Sequence, residues 1–224
     1  MTGFRELDVQ CLSPAGLHRV AYTEWGDPAN DRVLVCVHGL ARVGRDFDAL
    51  AQALCGTYRV VCPDIVGRGR SARLLDPMHY QIPQYVADMV TLLARLNART
   101  VHWLGTSMGG LIGRIWIQLL GGWTRTRRFT TVASPHQGTL TALPWPRRWL
   151  AGIADMKPGS PLLQRLDNDL EPLRRIECCS FYCPADLTVV PGWKAVLPVG
   201  PSHALPGLRH DRLLAEPACL EPLV

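Results

Sequence analysis

The sequence predicts a single α/β domain with an open, mostly parallel sheet and helices on both faces. Three observations predict it. The chain has 224 residues, which suits one domain and is long enough to enclose a full hydrophobic core. Val33 to Val37 is a continuous apolar run, the pattern of a strand covered on both faces. From there strand-like and helix-like segments alternate, which implies repeated βα units.

The elements follow in order. Leu7 to Leu12 and His18 to Tyr22 alternate around the turn Ser13-Pro14-Ala15-Gly16 and read as a hairpin. Val33–Val37 is the next strand. Phe47 to Leu54 reads as a helix, and Tyr58 to Cys62 as a strand ending at Pro63-Asp64. Gln84 to Leu96 is a helix, with Pro83 in its first turn and Val86, Met89, Val90, Leu93 and Leu96 on one face. Val101 to Leu104 is a strand. Met108 to Leu120 is a helix stopped by Gly121-Gly122. Phe129–Ala133 and Cys178–Cys183 are strands, and Ala195–Val199 is the expected last one. Residues 137–176 carry Pro144, Pro146, Pro158 and Pro161 with Trp145 and Trp149. They read as a lid-like insertion between two strands.

Composition excludes several classes of function. An ordinary balance of 47% hydrophobic and 19% charged residues excludes disorder as the main state. The formal charge of +5 is too mild and too dispersed for a nucleic-acid-binding face, so no nucleic-acid partner is expected. No apolar stretch reaches the roughly 18 residues of a membrane span, so no stable membrane insertion is expected. Met1 to Gln10 has no signal-like apolar core. Eight cysteines could mean a disulfide framework. However, Cys36, Cys62, Cys178, Cys179 and Cys183 fall in apolar runs, where free cysteine acts as a small hydrophobe. No paired zinc spacing is present. A reducing, cytoplasmic location is expected, with no metal or organic cofactor.

The chemistry starts at Gly105-Thr106-Ser107-Met108-Gly109. This G-x-S-x-G string directly follows a predicted strand and opens a predicted helix, the context of a nucleophile elbow. The sharp turn strains the serine backbone and leaves no room for side chains at 105 and 109. It lifts the Ser107 hydroxyl to the carboxyl ends of the strands, where open α/β sheets bind ligands.

With this elbow the chain resembles the α/β-hydrolases. His38-Gly39-Leu40 resembles the family's oxyanion-loop segment. Pro63 to Ser71 resembles its P-D-x-x-G-x-G-x-S stretch, and Ala21 to Asp27 its second-strand segment. Thr131 to Thr139 resembles the T-x-x-x-P-H-x-G-[ST] segment of bacterial triacylglycerol lipases and related esterases, and Met156 to Leu163 a segment that follows it there. The resemblance implies an α/β-hydrolase fold with a reduced lid, no large cap domain, and an esterase- or lipase-like serine hydrolase.

A serine nucleophile needs a base and a group to orient it, in the chain order Ser, acid, His. The resemblance implies Asp186, in Pro184-Ala185-Asp186-Leu187-Thr188-Val189, as the acid. His203 and His210 both follow it. His210 is favoured because Pro206 to Leu214 resembles the P-G-x-G-H-x-x-L-L segment of lipase-like members, with Arg209 where a glycine is usual. The oxyanion donors are expected to be the N–H groups of Met108 and Leu40. His38, His136, Trp145 and Trp149 complete the expected substrate-binding set, His38 as support rather than proton carrier.

Leu140 to Leu150 mixes aromatic, aliphatic and basic residues, as in an amphipathic flap. Short- to medium-chain acyl esters are the expected substrates. A same-fold hydrolase of lactones or C–C bonds remains open at this point, as does a non-catalytic binding protein on a hydrolase scaffold.

Overall fold

The structure is a computed structural model that describes residues 3–145, 151–206, 210, 213–214, 216–220 and 223. Strands β1 (Phe4–Ser13) and β2 (Gly16–Trp25) form an antiparallel hairpin in unbroken register from Phe4↔Trp25 to Ser13↔Gly16. Gly16 permits the tight turn, at φ 110°. The following strands are β3 (Val33–Val37), β4 (Arg59–Pro63), β5 (Val101–Thr106), β6 (Thr126–Val132), β7 (Glu177–Tyr182) and β8 (Ser202–Ala204). The sheet order is β1-β2-β4-β3-β5-β6-β7-β8. β2 meets β4 antiparallel, and the remaining neighbours are parallel.

Alternation along the strands sorts the core into two layers. Val33, Val35 and Val37 pack with helices α2 (Ile82–Arg95) and α3 (Met108–Leu119). Leu34 and Cys36 face the other way, with Leu50 and Ala51 of α1 (Asp48–Leu54) and with Leu213, Leu214 and Cys219 near the C-terminus. Hence β3 reads as an uninterrupted apolar run: both of its faces are buried. None of the eight cysteines is in a disulfide; seven are buried and Cys179 is half-buried. Among the described residues no helix is long and apolar enough to cross a membrane.

The order of the strands locates the ligand crevice. From β3 the chain moves outward to β4, and from β5 it moves the opposite way to β6. The adjacent ends of β3 and β5 are therefore the point where the winding reverses, the place where open sheets bind ligands.

Two expectations need correction. On α2, Val90 is exposed, while Asp88 and Leu92 are fully buried. The buried stripe is wider than the apolar spacing implied because the β1–β2 hairpin covers a second side of the helix. The last strand is not 195–199. Gly192–Ala195 is a 3-10 turn, and the final strand is β8. Pro191, Pro198 and Pro201 deny that segment regular ladder donors, and the Leu197 N–H bonds the Ser180 hydroxyl instead, at 2.9 Å.

The insertion contains helices at Ala151–Ala154 (α4), Pro161–Asp167 (α5) and Glu171–Arg174 (α6). Leu163, Leu166 and Leu173 are buried in the same core layer as α3. Arg114 of α3, fully buried, donates to the carbonyls of His136 and Leu166 (both 3.1 Å) and to Asp167 Oδ1 (2.7 Å). This part of the insertion packs as a layer behind α3.

Candidate active site

The chain turns from β5 into α3 at Ser107, with φ 51° and ψ −123°. A non-glycine residue there is strained by about 1–3 kcal/mol and persists only if its surroundings over-determine it. They do. Ser107 N–H donates to Val132 O at 2.9 Å, and its carbonyl accepts from Gly110 N–H at 3.2 Å. A Cβ at Gly105 would sit 2.5 Å from the Gly109–Gly110 backbone. One at Gly109 would sit 2.0 Å from the Val37 carbonyl. The second glycine is thus required by the end of β3 as much as by the elbow itself. Further along α3, a Cβ at Gly113 would lie 2.4 Å from the Trp103 ring, so glycine there lets the helix lie close on the sheet.

The loop after β3 faces the serine. A Cβ on Gly39 would lie 2.9 Å from Ser107 Cβ and 3.4 Å from its Oγ. Leu40 lines the same cavity as Ser107. The peptide groups on both sides of Leu40 are pinned. His38 Nδ1 meets Gly39 O at 2.7 Å, while His38 Nε2 accepts from Ile65 N–H at 2.9 Å. That second bond leaves the ring proton on Nδ1, so Nδ1 is the donor. The Leu40 carbonyl accepts from Arg68 Nε at 2.9 Å, and the Arg68 guanidinium lies 4.8 Å over the Tyr85 ring. Burial lowers the His38 pKa to about 4, so the ring is neutral. Met108 is the first residue of α3, where N–H groups have no intrahelical acceptor and the helix dipole favours negative charge.

His210 Nδ1 lies 2.7 Å from Asp186 Oδ2. The other carboxylate oxygen accepts from the backbone N–H groups of Thr188 (2.7 Å) and Val189 (3.1 Å). Asp186 is almost fully buried, so its charge depends on these three donors. Ser107, His210, Leu40 and Thr188 all line one cavity of about 610 Å³, a size suited to a small-molecule substrate. Leu213 and Leu214, the apolar pair after His210, are buried in the core and also line this cavity.

Other expected residues lie elsewhere. His203 sits on β8, stacked on Phe181 with ring centroids 5.3 Å apart, and does not line the cavity. His38 does not touch it either: it is fully buried and both ring nitrogens are held by backbone. His136 is also fully buried, its Nε2 3.1 Å from the Thr131 hydroxyl, and burial beside Arg114 holds its pKa well below the usual value. It belongs to the layer behind α3, not to the pocket wall. Trp145 is half-exposed and off the cavity. Trp149 lies outside the described residues, as does Arg209.

Sequence reasoning missed three features. Arg68 lies within the P-D-x-x-G-x-G-x-S stretch, whose pattern implies no task for it. Ala133, at φ 47°, lines the cavity and donates its N–H to Phe181 O at 2.8 Å; nothing in its sequence context marks it. The cavity rim carries Arg42 paired with Asp46 (2.6 Å) and Arg45 paired with Asp48 (2.5 Å), signalled only by the spacing of opposite charges.

The fold and this site define a class. Residues 32–161 match the family profile described as the alpha/beta hydrolase fold, and the chain belongs to that family. A 3-hydroxybutyrate-oligomer hydrolase of Cupriavidus necator is 73% identical over 105 residues, which are 47% of this chain and 36% of that protein. Lipase 1 of Psychrobacter immobilis is 29% identical over 107 residues, 48% of this chain and 33% of that protein. The matched stretch thus spans about a third of the length of these curated relatives. An alpha/beta hydrolase from Novosphingobium aromaticivorans has the same fold. It has a TM-score of 0.75 and 21% identity over 100% of this chain and 97% of that structure.

Proposed function

We propose that the chain is a serine carboxylic-ester hydrolase working by two-step acyl transfer on short- to medium-chain acyl esters. The observation that carries this reading is the His210–Asp186 hydrogen bond of 2.7 Å, made beside the cavity that His210 shares with the elbow residue Ser107. His210 Nε2 takes the Ser107 Oγ proton as that oxygen attacks the ester carbonyl. Asp186 holds the Nδ1–H tautomer and stabilises the imidazolium. The N–H groups of Leu40 and Met108 receive the negative charge that develops on the carbonyl oxygen. The alcohol leaves with the proton from His210. Water, activated by the same imidazole, then releases the acid and restores Ser107.

The relative that is 73% identical over its matched stretch is named for hydrolysis of 3-hydroxybutyrate oligomers. That favours short hydroxyacyl esters, including short linear oligoesters, within the proposed class. Eight cysteines without a disulfide favour a reducing compartment such as the cytoplasm as the place of action. A chain-length series of p-nitrophenyl esters beside 3-hydroxybutyrate dimers and trimers tests the reading, with Ser107→Ala as the paired variant. Wild-type turnover that vanishes in Ser107→Ala is expected, together with a fluorophosphonate adduct on Ser107. Equal turnover by the two proteins would sink the proposal.

A further inference from the structure

Away from the catalytic cavity, the β1–β2 hairpin and α2 enclose a second cluster of reactive side chains. Cys11 and His18 are register partners across the hairpin, so their side chains emerge side by side on one face. Asp88 of α2 packs down onto them. Cys11 is 1% exposed, His18 6% and Asp88 0%. One ligand atom from each lies within 4.8 Å of the others. His18 Nε2 is 2.9 Å from Asp88 Oδ1, which also accepts from Gln84 Nε2 at 2.8 Å.

The hydrogen bonding of the cluster is incomplete. Asp88 Oδ2 and His18 Nδ1 are buried with no hydrogen-bond partner. A buried carboxylate oxygen left empty is costly. The catalytic apparatus does not use this group, and the core would pack more simply without it. A thiol, an imidazole and a carboxylate held by two rigid elements are a ligand set for a divalent transition metal.

We propose that Cys11, His18 and Asp88 form a structural binding site for a divalent transition metal, with zinc as the best match. On binding, the Cys11 thiol loses its proton to solvent, and the thiolate and the Asp88 carboxylate together balance the two charges of the ion. The neutral His18 imidazole is the third ligand. The vacant Asp88 Oδ2 offers a second carboxylate contact, or else water takes the fourth position. Tetrahedral zinc with these ligands needs donor separations of about 3.3–3.8 Å, so the widest-spaced donors close by about 1 Å from the observed spread while His18 Nε2 and Asp88 Oδ1 open slightly from 2.9 Å. The metal would fasten the antiparallel hairpin at the sheet edge to α2. This lies apart from the ester chemistry, and the test does not depend on that chemistry.

The intact chain, stripped with a chelator and dialysed, is titrated with Zn²⁺ and separately with Co²⁺. One equivalent of Zn²⁺ per chain should bind and raise the thermal midpoint by about 5–10 °C at a hundredfold excess over Kd. Co²⁺ should give a near-ultraviolet thiolate-to-metal absorption band. The band and the stabilisation should both be lost in Cys11→Ala and persist in Cys36→Ala, a control for the other buried thiols. If Cys11→Ala does not fold, wild type is treated with a thiol reagent in mild denaturant, and Zn²⁺ should protect Cys11 from alkylation. The proposal is overturned if wild type binds no metal, if the band survives in Cys11→Ala, or if Zn²⁺ leaves Cys11 unprotected. In those cases His18–Asp88 is a buried hydrogen-bonded pair and nothing more.

Discussion

His38 Nδ1 donates to the carbonyl of Gly39 across 2.7 Å, and that carbonyl is the far end of the peptide plane that carries the Leu40 N–H. Because the peptide is planar and trans, fixing the direction of the carbonyl fixes the direction of the N–H. His38 thereby aims the proposed oxyanion donor without touching the cavity. His38→Ala should lower kcat about 10- to 100-fold on p-nitrophenyl butyrate with little change in KM, since the misaimed donor matters most in the transition state. His38→Gln, which keeps an N–H donor, should recover part of the loss. Equal losses in kcat for both variants, with circular dichroism unchanged, would remove His38 from this task.

Gly39 meets Ser107 directly. A methyl group there would lie 2.9 Å from Ser107 Cβ and 3.4 Å from its hydroxyl oxygen, closer than packed carbons approach. Gly39→Ala should therefore reduce kcat/KM by at least about 100-fold, because small misplacements of reacting groups are expensive. The effect should be local, with secondary structure retained. Activity within threefold of wild type would mean that the loop moves aside freely, contrary to its pinning by His38 and Arg68.

Asp186 divides its two oxygens between two tasks, and this makes Asp186→Asn informative. Oδ1 accepts two backbone N–H groups, so an amide there must keep its oxygen on that side. Its NH₂ then faces His210, where Oδ2 had accepted. His210 Nδ1 must become an acceptor, which moves the ring proton to Nε2, and Nε2 can no longer take the serine proton. The expected loss in kcat is about 10³–10⁴-fold. Measuring kcat for Asp186→Asn beside Ser107→Ala tests it. A loss under tenfold would mean that Asp186 does not set the tautomer.

Much of this was legible in the sequence. Strand–helix alternation and the uninterrupted Val33–Val37 run report burial on both faces, which is a local property. The elbow is legible because steric demands at Gly105 and Gly109 are written into residue types at fixed spacing. What stayed hidden depends on tertiary placement. Asp88 looks like one polar position on an amphipathic helix, yet the hairpin covers it. His136 looks like a pocket residue in its motif, but its burial beside Arg114 is decided by α5, tens of residues later. His203 and His210 are equally placed along the chain, and only the position of β8 next to β7 sends His203 toward Phe181 instead of Asp186.

The buried histidines also set a direction for stability against pH. His38 is held neutral, its pKa lowered to about 4 mainly by burial, with the Gly39 hydrogen bond and Asp64 opposing, Arg68 adding to the effect and Asp46 opposing it. His136 is lowered well below its usual value by burial and by Arg114. In the unfolded chain both titrate near the ordinary value of about 6.5. Below that pH the unfolded state binds more protons than the native state, so stability falls as pH falls. The His38 contribution is full above about pH 6.5 and is lost as pH drops toward about 4, a change of about 3 kcal/mol by the 1.36 kcal/mol per unit conversion. Urea unfolding at about pH 7.5, 6 and 4.5 should show a midpoint that declines steadily, with a shallower decline in His38→Gln. A midpoint flat across this window, or one that rises toward acid, would contradict the neutral buried state of both rings.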